Sequence, residues 1–228
     1  MRQLILDLLP ENPPGLDNFV PGGNVEAQMT LSAWESGRDP EPFVFLWGES
    51  GSGKTHLLRA CASEYIDAAD NPSLEKLGSA AVDKTAVDNI EALNPAGQIA
   101  MFGLFNRLRT TNCRLLVAAR QPPLQLTLRE DLRTRLGSGL IFRLTPLSDE
   151  EKTQALTEQA NARKLALPPG ALSYLLTRAP RDMRYLMAFI DALDRYSLEH
   201  KRPITLPLLR EILQHTLHSE VSHATRPV

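Results

Sequence analysis

Apolar and polar positions along the chain fall into two regimes. In the first, short apolar runs alternate with stretches of helical spacing. Phe43–Trp47 (FVFLW) is wholly apolar, the mark of a strand covered on both faces. Arg114–Ala119 and Leu140–Leu144 predict two more strands, Thr85–Asp88 closes another, and Tyr65–Ala69 adds a fifth. Helices are predicted over Asn24–Trp34, Lys54–Glu64 and Pro95–Arg109, the last with Ile99, Phe102, Phe105 and Leu108 as its apolar stripe. Gly37–Pro42 reads as a loop. Strands alternating with helices predict an α/β fold with a parallel sheet.

The second regime begins after Thr145–Pro146. Ser148 and Glu151 have the spacing of a capping box, and no strand pattern follows them. Leu172, Leu175 and Leu176 make one apolar stripe. Met183, Leu186, Met187, Ile190 and Leu193 make a second, and Leu206–Leu217 predicts a last helix. Ahead of both regimes, Met1–Leu9 is apolar and isolated, and Pro10, Pro13 and Pro14 prevent it from running on as a helix. The expected division is a tail and linker over 1–14, an α/β domain over 15–146 and a small all-helical domain over 147–228.

One segment of the α/β half carries chemistry. Gly48-Glu49-Ser50-Gly51-Ser52-Gly53-Lys54-Thr55 matches the P-loop pattern G-x-x-x-x-G-K-[ST], with a buried strand before it and a helix after it. Glycines let main-chain N–H groups converge on phosphate oxygens, Lys54 reaches the outer phosphates, and the Thr55 hydroxyl is suited to magnesium. A metal at such a loop calls for a carboxylate at a neighbouring strand end. Ala86-Val87-Asp88 supplies it; Asp83, after Ala80-Ala81-Val82, is the rival, and Asp88 is preferred because more helix-forming sequence follows it.

Composition narrows the function further. The 228 residues are 43% hydrophobic and 23% charged, enough for a full core without cross-links. A net charge of -2 with a pI near 6.2 argues against direct sequence-specific DNA binding. Cys61 and Cys113 sit in apolar contexts and read as reduced core thiols. There is no apolar run of ~18 residues and no basic-then-apolar leader, so no membrane role and a cytoplasmic location are expected. Eight arginines (107, 109, 114, 120, 129, 133, 135, 143) and no lysine lie between Met101 and Thr145, which suggests a local partner surface.

Together these segments resemble the AAA+ family of bacterial replication initiators, DnaA and the initiator-related regulators that inactivate it. The likeness rests on Asn18-Phe19-Val20-Pro21-Gly22-Gly23-Asn24 before the P-loop, on Val87-Asp88-Asn89-Ile90-Glu91 as Walker B, and on Arg120-Gln121-Pro122-Pro123 after the sensor 1 strand. It rests too on Asp131-Leu132-Arg133-Thr134-Arg135-Leu136 as the arginine-finger box, Pro146–Glu150 at the lid entrance, and Arg181-Asp182-Met183-Arg184 as sensor 2. The resemblance implies an adenine nucleotide, ADP or ATP with Mg2+, held by Val20, Asn24, Gly48, Gly51, Ser52, Gly53, Lys54, Thr55, His56 and Arg184, with Thr55 and Asp88 at the metal. It implies Arg135 as a finger acting on DnaA-bound ATP.

Gln3-Leu4-Ile5-Leu6-Asp7-Leu8 is similar to the family's short motif for the DNA polymerase III β sliding clamp, with Gln3, Leu4, Leu6 and Leu8 as the contacts. The chain ends soon after the lid, where DnaA continues into a DNA-binding domain, and this favours a regulator over an initiator. Asn89 stands where active members carry an acid, and Ala118, Ala119 and Arg120 stand at sensor 1, so weak intrinsic hydrolysis is expected; Glu49 and Glu91 are the alternative bases. The expected role is an ADP-bound adaptor that lowers initiation. The alternative is a self-assembling ATPase, a homo-oligomer acting as a helicase loader or remodeller.

Overall fold

The computed structural model describes residues 13–75, 83–108, 111 and 113–223, with 108 and 215–223 by backbone alone. The chain divides into two compact units, one spanning Pro13–Pro146 and one that begins at Leu147.

The first unit is a five-stranded parallel sheet with helices on both faces. In chain order it contains α1 (Val25–Glu35), β1 (Phe43–Gly48), α2 (Lys54–Cys61), β2 (Glu64–Asp67), β3 (Lys84–Asp88), α3 (Pro95–Leu108), β4 (Arg114–Ala119), α4 (Glu130–Leu136) and β5 (Leu140–Leu144). The strand order is β2-β3-β4-β1-β5, with every pairing parallel. The apolar run of β1 thus lies between two neighbours, with Phe45 opposite Val117 on one side and Ile141 on the other. Alternate residues face alternate sides of the sheet. Phe43, Phe45, Val87, Leu115 and Val117 join Met101, Leu104 and Phe105 of α3 in one core. Val44, Leu46, Ala86, Leu116 and Ala118 join Leu31 and Trp34 of α1 and Leu57 and Leu58 of α2 in the other.

The elements expected from the sequence are present, with instructive differences. α2 stops at Cys61, short of Glu64, because Ala62 turns extended and β2 begins at Glu64. The buried face of α3 is rotated from the expected stripe: of Ile99, Phe102 and Phe105 only Phe105 is fully buried. Ile99 is 60% exposed, while Met101, Leu104 and Phe105 are buried. Gly97 sets that rotation: a Cβ there would lie 2.0 Å from the Pro72 carbonyl oxygen, so the helix turns its glycine toward the Pro72 loop. α4 carries no stripe long enough to be read as a helix; Leu132 and Leu136 alone anchor it. Cys61 is buried, and burial pushes its thiol up to about 12, whereas Cys113 is only half-buried.

The second unit is helical throughout its described residues: α5 (Asp149–Ala162), α6 (Ala171–Arg178), α7 (Met183–His200) and α8 (Leu206–His223). Its first helix starts with the expected capping box, Glu151 N–H donating to Ser148 Oγ at 3.1 Å and Ser148 N–H donating to Glu151 Oε2 at 2.8 Å. Leu156, Leu175, Leu186, Phe189, Ile190, Leu193, Leu209 and Leu213 form the core. Asp191, 7% exposed, is balanced there by Arg163 Nε at 2.8 Å and Gln159 Nε2 at 2.7 Å, which tie α5 to α7. No helix among the described residues is long and apolar enough to cross a membrane.

Candidate nucleotide site

The site is built where β1 and β3 end and α2 begins. β1 closes at Gly48, and α2 opens at Lys54. Between them the chain turns back on itself with Gly51 at φ 77° and Gly53 at φ 90°, backbone that an L side chain rarely adopts. The Gly53 position has a second constraint, since a Cβ there would meet the Phe19 ring at 2.7 Å. The ring therefore lies directly against the loop.

Lys54 is 8% exposed, and its ammonium donates to the Gly48 carbonyl at 2.7 Å, the Glu49 carbonyl at 2.8 Å and Ser52 Oγ at 3.4 Å. Burial pulls its pKa below the usual lysine value; the carboxylates of Asp88 and Glu91 pull the other way, and Arg120 adds to the lowering. A desolvated cation held only by neutral acceptors is well matched to an incoming anion.

Asp88, at the end of β3, is 1% exposed. Thr55 Oγ1 donates to its Oδ2 at 2.6 Å, Tyr65 OH donates to the same oxygen at 3.1 Å, and Asn89 N–H donates to Oδ1 at 2.9 Å. The Tyr65 phenol is pushed up to about 12, by burial first and then by the Asp88 charge. Asp83 lies just ahead of β3 on the surface, so the strand brings Asp88 and not its rival to the P-loop. Asn89 sits in the left-handed region at φ 51°, with its amide donating to Asp67 Oδ1 at 2.8 Å. Glu91 Oε1 accepts the Arg120 N–H at 3.3 Å, with Arg120 Nε 3.7 Å away. Glu49 is on the exposed rim of the loop.

The segment before α1 borders this loop. His56 Nε2 lies 2.9 Å from the Gly15 carbonyl oxygen, and its ring is tilted against Phe19 at 5.5 Å. Val20 is half-buried on the same segment. The buried Asn24 side chain is engaged by the end of β5: its Nδ2 donates to the Thr145 carbonyl at 2.9 Å, and its Oδ1 accepts the Thr145 N–H at 2.8 Å. Its amide acts as a tie between the segment and the sheet.

Two arginines singled out by the sequence belong to other elements. Arg135, in the last turn of α4, is half-buried with its guanidinium carbon 4.5 Å from the centre of the Phe102 ring. Arg184 opens α7 in the helical unit; its N–H donates to Asp182 Oδ1 at 2.8 Å, and its guanidinium lies 3.5 Å from the same carboxylate. Among the described residues, the arginines of the 101–145 stretch are divided between the two ends of β4 and other elements. Arg114 opens β4 and donates to the Asp39 carbonyl at 2.7 Å, whereas Arg120 follows the other end of that strand; Arg129 pairs with Asp131 at 2.7 Å, and Arg143 lies over Trp47. A six-residue strand separates residues that a linear count places together. Gln3, Leu4, Leu6 and Leu8 lie outside the described residues.

The donor set fits a nucleotide phosphate with magnesium. It combines a buried ammonium, a loop of positive-φ glycines leading into a helix N-terminus, and a buried carboxylate bridged to a threonine hydroxyl. Among the described residues no three or more His, Cys, Asp or Glu side chains gather as a metal cluster.

Comparison with known proteins agrees with this geometry. Residues 12–96 match the bacterial DnaA ATPase domain, and residues 149–213 match the Hda lid domain. The structure is similar to domain III of the Thermotoga maritima replication initiation protein DnaA, with a TM-score of 0.66, 21% identity, and coverage of 90% of this chain and 98% of that one. It is similar to AMPPCP-bound DnaA from Aquifex aeolicus, with a TM-score of 0.61, 22% identity, and coverage of 85% and 71%. Thermotoga maritima RuvB shares the fold at a TM-score of 0.61 and 20% identity over 91% of this chain and 72% of that one.

Proposed function

The chain is an AAA+ protein related to Hda and DnaA, an α/β nucleotide domain followed by a helical lid, and from that premise we propose that it is an ADP-holding adaptor that restrains replication initiation. In this reading Lys54 and the loop from Gly48 to Gly53 bind the phosphates. Val20 and His56 border the nucleotide, and Asn24 fixes the segment that covers it. Thr55 and Asp88 would hold magnesium, which would supply positive charge to offset that of the phosphates. Arg184 reaches the phosphates from the lid.

The observation that carries the reading is the engagement of Asn89. The residue after Asp88 is neutral, and its amide is bonded to Asp67. Of the other two acids, Glu91 is bonded to the Arg120 main chain, and Glu49 lies on the exposed rim. A site with a phosphate and metal cradle in which, among the described residues, a bonded amide follows Asp88 and Glu91 is already engaged retains nucleotide better than it hydrolyses it. ADP is then a structural part, and the catalytic contribution goes to a partner.

That partner is DnaA bearing ATP. Arg135 is the residue we assign as the finger, and a finger supplied in trans accelerates hydrolysis by roughly 10³–10⁵. Gln3, Leu4, Leu6 and Leu8 dock the tail on the DNA polymerase III β sliding clamp, as a short peptide with apolar anchors and one polar one. Loaded clamps thereby bring the finger to the initiator once synthesis has begun.

The test is hydrolysis of DnaA-bound ATP with clamp loaded on DNA. Arg135→Ala is expected to keep ADP binding and to lose the stimulation. Unchanged stimulation would remove the adaptor reading. ATP-driven self-assembly, with Arg135 needed for this chain's own turnover, would establish the helicase-loader alternative.

A further inference from the structure

Tyr65 belongs to the nucleotide site, although no motif points to it. β2 pairs with β3 so that Tyr65 stands opposite Ala86. Alternation along β3 puts Ala86 and Asp88 on the same side, the side covered by α2. The small Ala86 leaves room for the phenol to run along the strand, and the hydroxyl reaches Asp88 Oδ2 at 3.1 Å. α2 supplies the other two members. Thr55 and Arg59 are one turn apart on one helix face. Thr55 Oγ1 donates to the same carboxylate oxygen at 2.6 Å, and the Arg59 guanidinium carbon lies 4.4 Å from the centre of the Tyr65 ring.

We propose that Tyr65 is a positioning residue for magnesium, its hydroxyl fixing the Asp88 carboxylate and Arg59 holding the ring in place. This rests on the nucleotide reading above. Asp88 Oδ1 is held by the Asn89 N–H. Without Tyr65, Oδ2 keeps only Thr55, the residue whose hydroxyl oxygen is itself required by the metal. Oδ2 then loses its one donor independent of the ligand, and the Asn89 N–H on Oδ1 alone is left to orient the carboxylate. Outer partners of metal-holding groups commonly alter metal affinity by about 10- to 100-fold. The phenol acts through Asp88 and does not touch nucleotide.

Tyr65→Phe keeps the ring beneath the Arg59 guanidinium and deletes the hydroxyl, with its bond to Asp88 and its polar contact with Arg59. ADP binding by the full chain is measured by calorimetry over a magnesium titration and again in EDTA, beside the wild type and Lys54→Ala. The expected result is a rise of about tenfold in the magnesium needed for half of the metal-dependent gain in ADP affinity, with affinity in EDTA and melting temperature unchanged. Arg59→Leu, which frees the ring, gives a smaller rise of the same sign. An unaltered or lowered magnesium requirement overturns the proposal. So does a parallel loss of affinity in EDTA, which reports damage to the fold. If wild-type protein takes up no ADP, or takes it up without any metal dependence, the nucleotide reading itself fails and takes this one with it.

Discussion

The Thr55 hydroxyl and the Asp88 carboxylate are 33 residues apart in sequence and 2.6 Å apart in space. α2 makes the connection: it leaves the end of β1, passes over β4 and packs on β3. The threonine of the P-loop and the acid of another strand are thus brought together by the sheet and α2.

Lys54→Ala removes the one buried ammonium of the site. Its charge is already penalised by burial, so the nucleotide-free chain is expected to lose little stability. ADP affinity should fall by about 10- to 100-fold, the scale of a lost hydrogen bond to a charged group. Calorimetric titration beside a urea melt of the free protein checks both halves of the statement.

Asn24→Ala deletes both bonds to the Thr145 main chain and leaves the N–H and C=O of that exposed residue to water. The expected cost is about 1 kcal/mol, the net worth of ordinary hydrogen bonds, read as a lower urea midpoint at constant slope. ADP should also dissociate faster, because the segment bearing Phe19 and Val20 loses its tie to β5.

Gly97→Ala drives a methyl group to 2.0 Å from the Pro72 carbonyl oxygen. Neither the helix nor the loop yields freely, so a loss of about 1–3 kcal/mol is expected. Gly103→Ala, on the same helix with nothing within 4 Å of the added atom, is the control and should be neutral or slightly stabilising. Equal effects of the two changes would contradict the packing described for α3.

Alkali should weaken the fold. Cys61 and Tyr65 are both raised to about 12 in the folded chain, from ordinary values of 9.0 and 10.0. Below pH 9 both groups are protonated in either state, and the stabilisation is complete. Above pH 9 for the thiol and pH 10 for the phenol, the unfolded chain releases protons that the folded chain retains, so stability declines up to about pH 12. Each group contributes a slope of at most ~1.4 kcal/mol per pH unit within its own window. Cys61→Ala should remove the part that starts near pH 9, as followed by urea midpoints across the series.

Deleting Met1–Leu9 should abolish capture by the sliding clamp and leave ADP affinity unchanged, a result that a pull-down and a titration give together. Retained capture would place the clamp contact elsewhere on the chain.

The sequence was most legible where one residue type answers one physical need. Phe43–Trp47 is apolar at every position because β1 has a strand on either side and a helical layer on each face. The P-loop is readable because its glycines and lysine sit at fixed offsets around one turn. The rotation of α3 was not readable, since Ile99 and Met101 are both apolar and the contact that chooses between them, Gly97 against Pro72, crosses from another loop. α4 escaped notice because seven residues with two apolar anchors show no period. Tyr65 was missed for a third reason. A tyrosine in a short strand is an ordinary packing residue until the register sets it opposite an alanine, two places short of the acid on the next strand.

The sheet order has a consequence for how the site comes apart. β1, which feeds the phosphate loop, is flanked by β4 and β5, whereas β2, which carries Tyr65 and Asp67, has, among the described residues, a neighbour on one side only. Rim strands exchange their amide protons through smaller openings than central ones. Fraying of that rim would release the phenol from Asp88 and the Asn89 amide from Asp67 while the glycine turn stays shut. Grip on the metal is therefore lost at a lower opening energy than grip on the phosphates, and amide exchange at residues 64–67 should run ahead of that at 43–48.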